Sequence, residues 1–249
     1  IGGSLITLLI SKPLAKWSMG VQIVEGNGPH HQLVNSVHRL ARSAGLTVMP
    51  EVGIYESEDI NAFATGRSKN SSLVAVSSGL LNRMNEEEKE GVLAHEVAHI
   101  ANGDMVTMAL VQGVINAFVM FLSRVAAFAI SQALRSDDDE SPQSPWVNTL
   151  ITFGLDILFG FLAMPIVAWF SRYREFRADA GAASLAGKEK MIAALLALKR
   201  VYPQLEESTA VSNQNFQSMQ ISSKSSFWKL ISTHPPLDER IAALRNLER

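Results

Sequence analysis

The sequence predicts a mainly α protein with a small β-sheet (α+β), interrupted by a two-span transmembrane helical hairpin. Two long apolar stretches, about 105–134 and 146–170, each exceed the roughly 20 residues a bilayer span requires. Short β-like runs cluster only between residues 52 and 76, and the remaining segments carry helical spacing. Composition agrees: 47% of the 249 residues are hydrophobic and 18% charged, which rules out disorder and coiled coil.

The apolar run Ile1–Ile10, closed by Lys12, Lys16 and Trp17, reads as the remnant of a truncated transmembrane helix over 1–17, an expectation strengthened by an opening residue other than Met. An ordinary amphipathic N-terminal helix is the alternative. Leu33, Val37 and Leu40 then mark a helix over 30–44, with Gly45 placed to end it. Val52–Tyr55 and Leu73–Val76 read as strands, and Asn61–Thr65 as their partner. Asn85 with Glu88 forms a capping box at the head of a helix that continues through Ile100.

Between the two apolar stretches the connector 135–145 holds one base and four acids, whereas Arg172, Arg174 and Arg177 follow the second stretch. Basic flanks mark the cytoplasmic side, so the connector is expected outside. Arg124 and Asp156 lie at similar depth from it and are expected to pair. Residues 188–202 form an amphipathic helix, and 204–226 read as a polar loop. The domain is thus expected in two parts, 18–104 and 171–249, around the hairpin 105–170.

Net charge is −2 and the pI about 6.3, giving no general affinity for nucleic acid. Cysteine is absent, which excludes disulfides, thiolate nucleophiles and cysteine-ligated metal. The strongest chemical signal is His95-Glu96-Val97-Ala98-His99. On a helix, positions i and i+4 share a face, so both imidazoles reach one metal ion, and Glu96 beside them is placed to act as general base on a water. Zinc accepts nitrogen and oxygen ligands and keeps one position open in catalytic sites. The metzincin pattern puts a third histidine six residues after His99, but that residue is Met105. A carboxylate from another helix is the alternative. Glu175 is the candidate ligand, and Asp179, one turn on, would accept a hydrogen bond from a liganding histidine. Taken alone, this segment also fits a solvated charged helix. Topology favours the ligand reading, because a two-span hairpin returns the chain to the side it left.

Four segments, Ile60–Gly66, Leu93–Asp104, Phe170–Ala180 and Thr233–Ile241, together resemble the HtpX family of bacterial membrane zinc metalloproteases, relatives of the CAAX prenyl proteases. The resemblance implies a zincin-like cytoplasmic metalloprotease domain and an inner-membrane, multi-pass endopeptidase with its site facing the cytoplasm. It implies one Zn2+ per chain held by His95, His99 and Glu175, with Glu96 as catalytic glutamate and Asp179 behind the ligands. It also raises Asn61 and His234 as residues lining the cleft, with His234 assisting catalysis as a donor to the oxyanion. Leu73, Val74, Ala75 and Val76 are expected to form an edge strand that takes the substrate as an added strand. The expected partners are polypeptide substrates, above all misfolded membrane proteins, and the lipid bilayer. Alternatives are a CAAX-type processing peptidase of narrow specificity and a non-catalytic zinc-holding membrane scaffold.

Overall fold

The computed structural model describes residues 2–133, 145–212 and 235–247. Helix α1 (Gly2–Ser18) is followed by strand β1 (Gln22–Ile23), helix α2 (His31–Ser43) and strands β2 (Glu51–Tyr55), β3 (Ala62–Ser68) and β4 (Ser71–Ser77). Helices α3 (Ser78–Arg83), α4 (Glu86–Asn102), α5 (Asp104–Ala133), α6 (Pro145–Ala186) and α7 (Lys188–Ser212) come next, and α8 (Leu237–Arg245) closes the described chain.

The small sheet is mixed, in the order β1-β2-β4-β3. β2 and β4 run parallel, with Val52 opposite Val74 and Ile54 opposite Val76, while β3 pairs antiparallel with β4. β4 is therefore paired on both sides, and Leu73, Val74, Ala75 and Val76 are wholly buried. This overturns the expectation of a substrate-binding edge at β4: a strand with both flanks occupied has no free backbone groups to offer. β3 is the edge strand on that side.

α4 starts where the sequence says it should. The Asn85 side chain accepts from the Glu88 backbone, and the Glu88 side chain accepts from the Asn85 backbone. Its apolar face buries Leu93, Val97 and Ile100 in a core shared with Val37 and Leu40 of α2, Val76 of β4 and Leu195 of α7. Gly91 lets α4 close on α7: a Cβ there would stand 2.4 Å from the Lys190 carbonyl oxygen.

α5 and α6 pack against each other as a hairpin. Both are long and apolar enough to cross a membrane, and almost none of their apolar windows is buried within the protein. Within the apolar stretches their buried positions are small, Gly113, Ser123 and Ala127 on α5 and Ala168 on α6, as close helix packing in lipid favours. α6 runs unbroken from the apolar stretch through Glu175 and Asp179, so span and candidate ligand share one rigid element. The expected Arg124–Asp156 pair is not formed. Arg124 Nη1 donates to the Met120 carbonyl one turn back, and Asp156 Oδ1 is buried without a hydrogen-bond partner. Equal depth does not fix which way two side chains point around their helices. α7 reaches Ser212, so the first part of the polar loop expected at 204–226 is helical, and 213–226 lie outside the described residues.

Candidate metal centre

α4 and α6 bring the site together. His95 and His99, one turn apart on α4, approach with their Nε2 atoms 3.1 Å apart. Glu175 of α6 faces both, with Oε2 3.5 Å from His95 Nε2 and Oε1 3.4 Å from His99 Nε2. One ligand atom from each residue lies within 4.8 Å of the others, so the three can hold a metal ion.

The surrounding residues fix the tautomers. His95 Nδ1 donates to Asp179 Oδ1 at 2.9 Å, and His99 Nδ1 donates to Asp104 Oδ2 at 2.6 Å. With both Nδ1 atoms committed as donors, the two Nε2 lone pairs converge with a carboxylate on one point. That arrangement is repulsive unless a cation or protons occupy it, and it is the chemistry a divalent ion satisfies.

Burial alone pulls both imidazoles toward the neutral form. Hydrogen bonds to Asp179 and Glu175 more than offset it at His95 and raise that pKa. Hydrogen bonds to Asp104 and Glu175, aided by the charges of Glu96 and Glu175, raise His99 to about 9. The site therefore demands positive charge at the Nε2 positions.

Arginines hold the outer carboxylates. Arg240 of α8 forks onto Asp179, Nε to Oδ2 at 2.7 Å and Nη2 to Oδ1 at 2.6 Å, and is itself buried. Its Nη1 stands 3.6 Å from Glu175 Oε2. Arg174 Nη2 reaches Glu175 Oε1 at 3.1 Å.

Glu96 is half-buried and lines a cleft of about 720 Å³ together with His95, Glu175, Asn61, Ala62 and Arg240. Asn61 is among the residues that line it. Leu73, Val74, Ala75 and Val76 do not line this cleft. His234 lies outside the described residues, and the two prolines that follow it, Pro235 and Pro236, line the cleft. Sequence reasoning missed Asp104, Arg177 and Arg240. The only local signals were an aspartate straight after the helix-ending Gly103 and an arginine in the His234–Ile241 segment.

The model of "Peptidase family M48" matches residues 28–248. "Protease HtpX" of Glaesserella parasuis serovar 5 (strain SH0165) is 54% identical over 247 residues, covering 98% of this chain and 84% of the relative. "Protease HtpX" of Tolumonas auensis is 50% identical over 250 residues, covering 99% of this chain and 83% of the relative. Among solved structures, S. mikatae Ste24p superposes with a TM-score of 0.67 at 20% identity. That alignment covers 98% of this chain but only 55% of the Ste24p chain, and it establishes likeness of fold.

Proposed function

Because the chain belongs to peptidase family M48 and is a membrane metalloprotease, we propose that it is a zinc endopeptidase acting on misfolded or damaged membrane proteins. The observation that carries this reading is the cluster of His95, His99 and Glu175, of which His95 and Glu175 line one cleft beside Glu96, next to an apolar hairpin. Two imidazole nitrogens and one carboxylate oxygen suit zinc and leave a position for water. Such an ion, one per chain, supplies an acidified water and a polarised carbonyl.

The chain's own residues do the rest. Glu96 takes the proton of the attacking water and returns it to the departing amine. His234 donates to the oxyanion as the carbonyl becomes tetrahedral. The substrate backbone adds to the edge strand β3 beside Asn61 and Ala62, which gives affinity through main-chain hydrogen bonds and only loose side-chain preference. That promiscuity suits damaged proteins of many sequences. The basic residues Arg172, Arg174 and Arg177 after the second span support a cleft on the cytoplasmic side, and the resemblance to the HtpX family supports a bacterial inner-membrane setting.

The test is one comparison. The purified chain should carry one zinc and hydrolyse casein. Glu96→Gln should keep the metal and lose turnover by roughly 10²–10⁴-fold, the usual worth of general acid–base catalysis. Undiminished turnover in that variant would reject Glu96 as the base.

A further inference from the structure

Asp104 is buried to 1% exposure and sits where two large parts of the molecule meet. α4 ends at Asn102. Gly103 then takes a left-handed conformation, φ 73°, with its N–H directed to the His99 and Ile100 carbonyls. That turn ends α4 within one residue, in a conformation other residues adopt only with strain. α5 begins at once with Asp104, and its side chain folds back onto the histidine of the preceding helix. Oδ2 accepts from His99 Nδ1 at 2.6 Å, while Oδ1 accepts from Arg177 Nη2 of α6 at 2.5 Å.

We propose that Asp104, held by Arg177, is the positioning residue for His99. The metal centre is thereby built into the base of the α5–α6 hairpin. The proposal rests on the zinc-site reading above. It gives each histidine its own carboxylate–arginine clamp: His95 with Asp179 and Arg240, His99 with Asp104 and Arg177. The two clamps tie different things. The first joins α6 to α8. The second joins the first residue of α5 to the far end of α6, the other apolar helix. Anything that parts the bases of α5 and α6 therefore rotates the His99 imidazole. Asp104 acts by fixing the Nδ1–H tautomer and the ring plane, so that the Nε2 lone pair faces the ion. Loss of such a partner typically weakens metal binding 10–100-fold.

The experiment uses the full chain in detergent micelles. Zn2+ affinity is measured by competition with a chromophoric chelator, and ligand geometry by the visible absorption of the Co2+ form. Asp104→Asn keeps the shape of the side chain and removes its charge. It should weaken Zn2+ binding 10–100-fold and shift the Co2+ bands, with far-UV circular dichroism unchanged. Arg177→Gln should give a smaller loss in the same direction. In the Asp104→Asn background the Arg177→Gln loss should nearly vanish, because both residues act through one contact. Wild-type Zn2+ affinity in a folded Asp104→Asn chain would overturn the proposal, as would full additivity of the two losses. If Asp104→Asn does not fold, Arg177→Gln alone decides: unaltered affinity and Co2+ spectrum overturn the clamp. His95→Ala separates this inference from the reading beneath it. Wild-type chain that binds no metal, or binds it equally after His95→Ala, refutes the zinc site itself. Metal lost on His95→Ala but retained at full strength on Asp104→Asn refutes only the role of Asp104.

Discussion

Two regions of this chain bury opposite things. At the junction of α4, α6 and α8 the interior holds charge: Asp104, Glu175, Asp179 and Arg240 are all buried, and each carboxylate has an ion-pair partner. In the α5–α6 hairpin the apolar side chains face outward, with Phe118 and Phe121 63% exposed and Phe161 59%. A single helix, α6, passes from one regime to the other between Phe170 and Arg172. What differs is the solvent. In water, a surface of phenylalanines would be an aggregation site; against hydrocarbon it is the cheapest surface available, provided the backbone is satisfied within each helix. A buried charge network stays folded only when every member has its partner.

The largest effect after loss of Glu96 should come from opening that network. Arg240→Ala strands Asp179 in the interior and removes the contact that steadies it against His95. Breaking a buried pair by deleting one partner costs about 3–5 kcal/mol. Chemical denaturation in detergent should show a loss of that size. A cost under about 1 kcal/mol would mean that water reaches Asp179 and that the region is not truly buried.

The opposite region should respond to the opposite change. Phe118→Arg places a charge midway along α5, on a face turned away from the protein. In a bilayer this should cost about 3 kcal/mol of insertion free energy, read from the fraction inserted into liposomes. Unchanged insertion would show that this face does not meet lipid, and the contrast between the regions would fail.

How much of each region the sequence disclosed follows from the range of the interactions involved. The histidine pair and the Asn85–Glu88 capping box are local, spaced three or four residues apart, and the sequence carries them whole. The hairpin is a matter of composition, equally legible. Glu175 and Asp179 needed topology as well, supplied by the even number of spans. Strand order was not legible, because three short apolar runs fit several sheets. One clue was present: Leu73–Val76 is apolar at every position, the mark of a strand covered on both faces, whereas β3 carries Thr65, Arg67 and Ser68. β1, two residues long, leaves no signature. Arg177 and Arg240 were hidden because their partners, Asp104 and Asp179, are 73 and 61 residues away, and nothing local says which of several arginines turns inward.

A smaller effect tests the electrostatics of the buried region without mutation. In the metal-free chain His99 titrates at about 9, above its ordinary 6.5. A raised folded-state value means that this group stabilises the metal-free fold fully below about 6.5 and progressively ceases to do so as pH rises through about 9. Metal competes with those protons, so the sign for binding is reversed: Zn2+ affinity should climb between pH 6.5 and 9. The slope should be about tenfold per pH unit for each proton displaced. Calorimetry in buffers of different ionisation enthalpy should register proton release at pH 7.5. Affinity independent of pH over that range would mean that the imidazoles are already neutral, and that the carboxylates do not impose the charge their geometry suggests.

The smallest effect belongs to an ion pair outside both regions. Lys12 and Lys16 of α1 reach Glu51 of β2 at 2.7 and 2.6 Å, yet the Glu51 side chain is 41% exposed. Burial alone would raise the Glu51 pKa, but the two lysines outweigh it and hold the carboxyl below its ordinary value. The contribution is therefore present at neutral pH and lost as pH falls through that lowered value. Water screens such contacts, and exposed pairs contribute about 0–1 kcal/mol. Lys12→Ala should accordingly shift the denaturation midpoint only slightly, by far less than Arg240→Ala, and Lys16 remains to face Glu51. This sharpens the comparison because both substitutions delete a cation from a carboxylate at nearly the same distance and differ in the solvent around it. Equal losses from the two would mean that contact distance, not burial, sets the cost. The difference in solvent would then not govern the charge network, although it would still govern the hairpin.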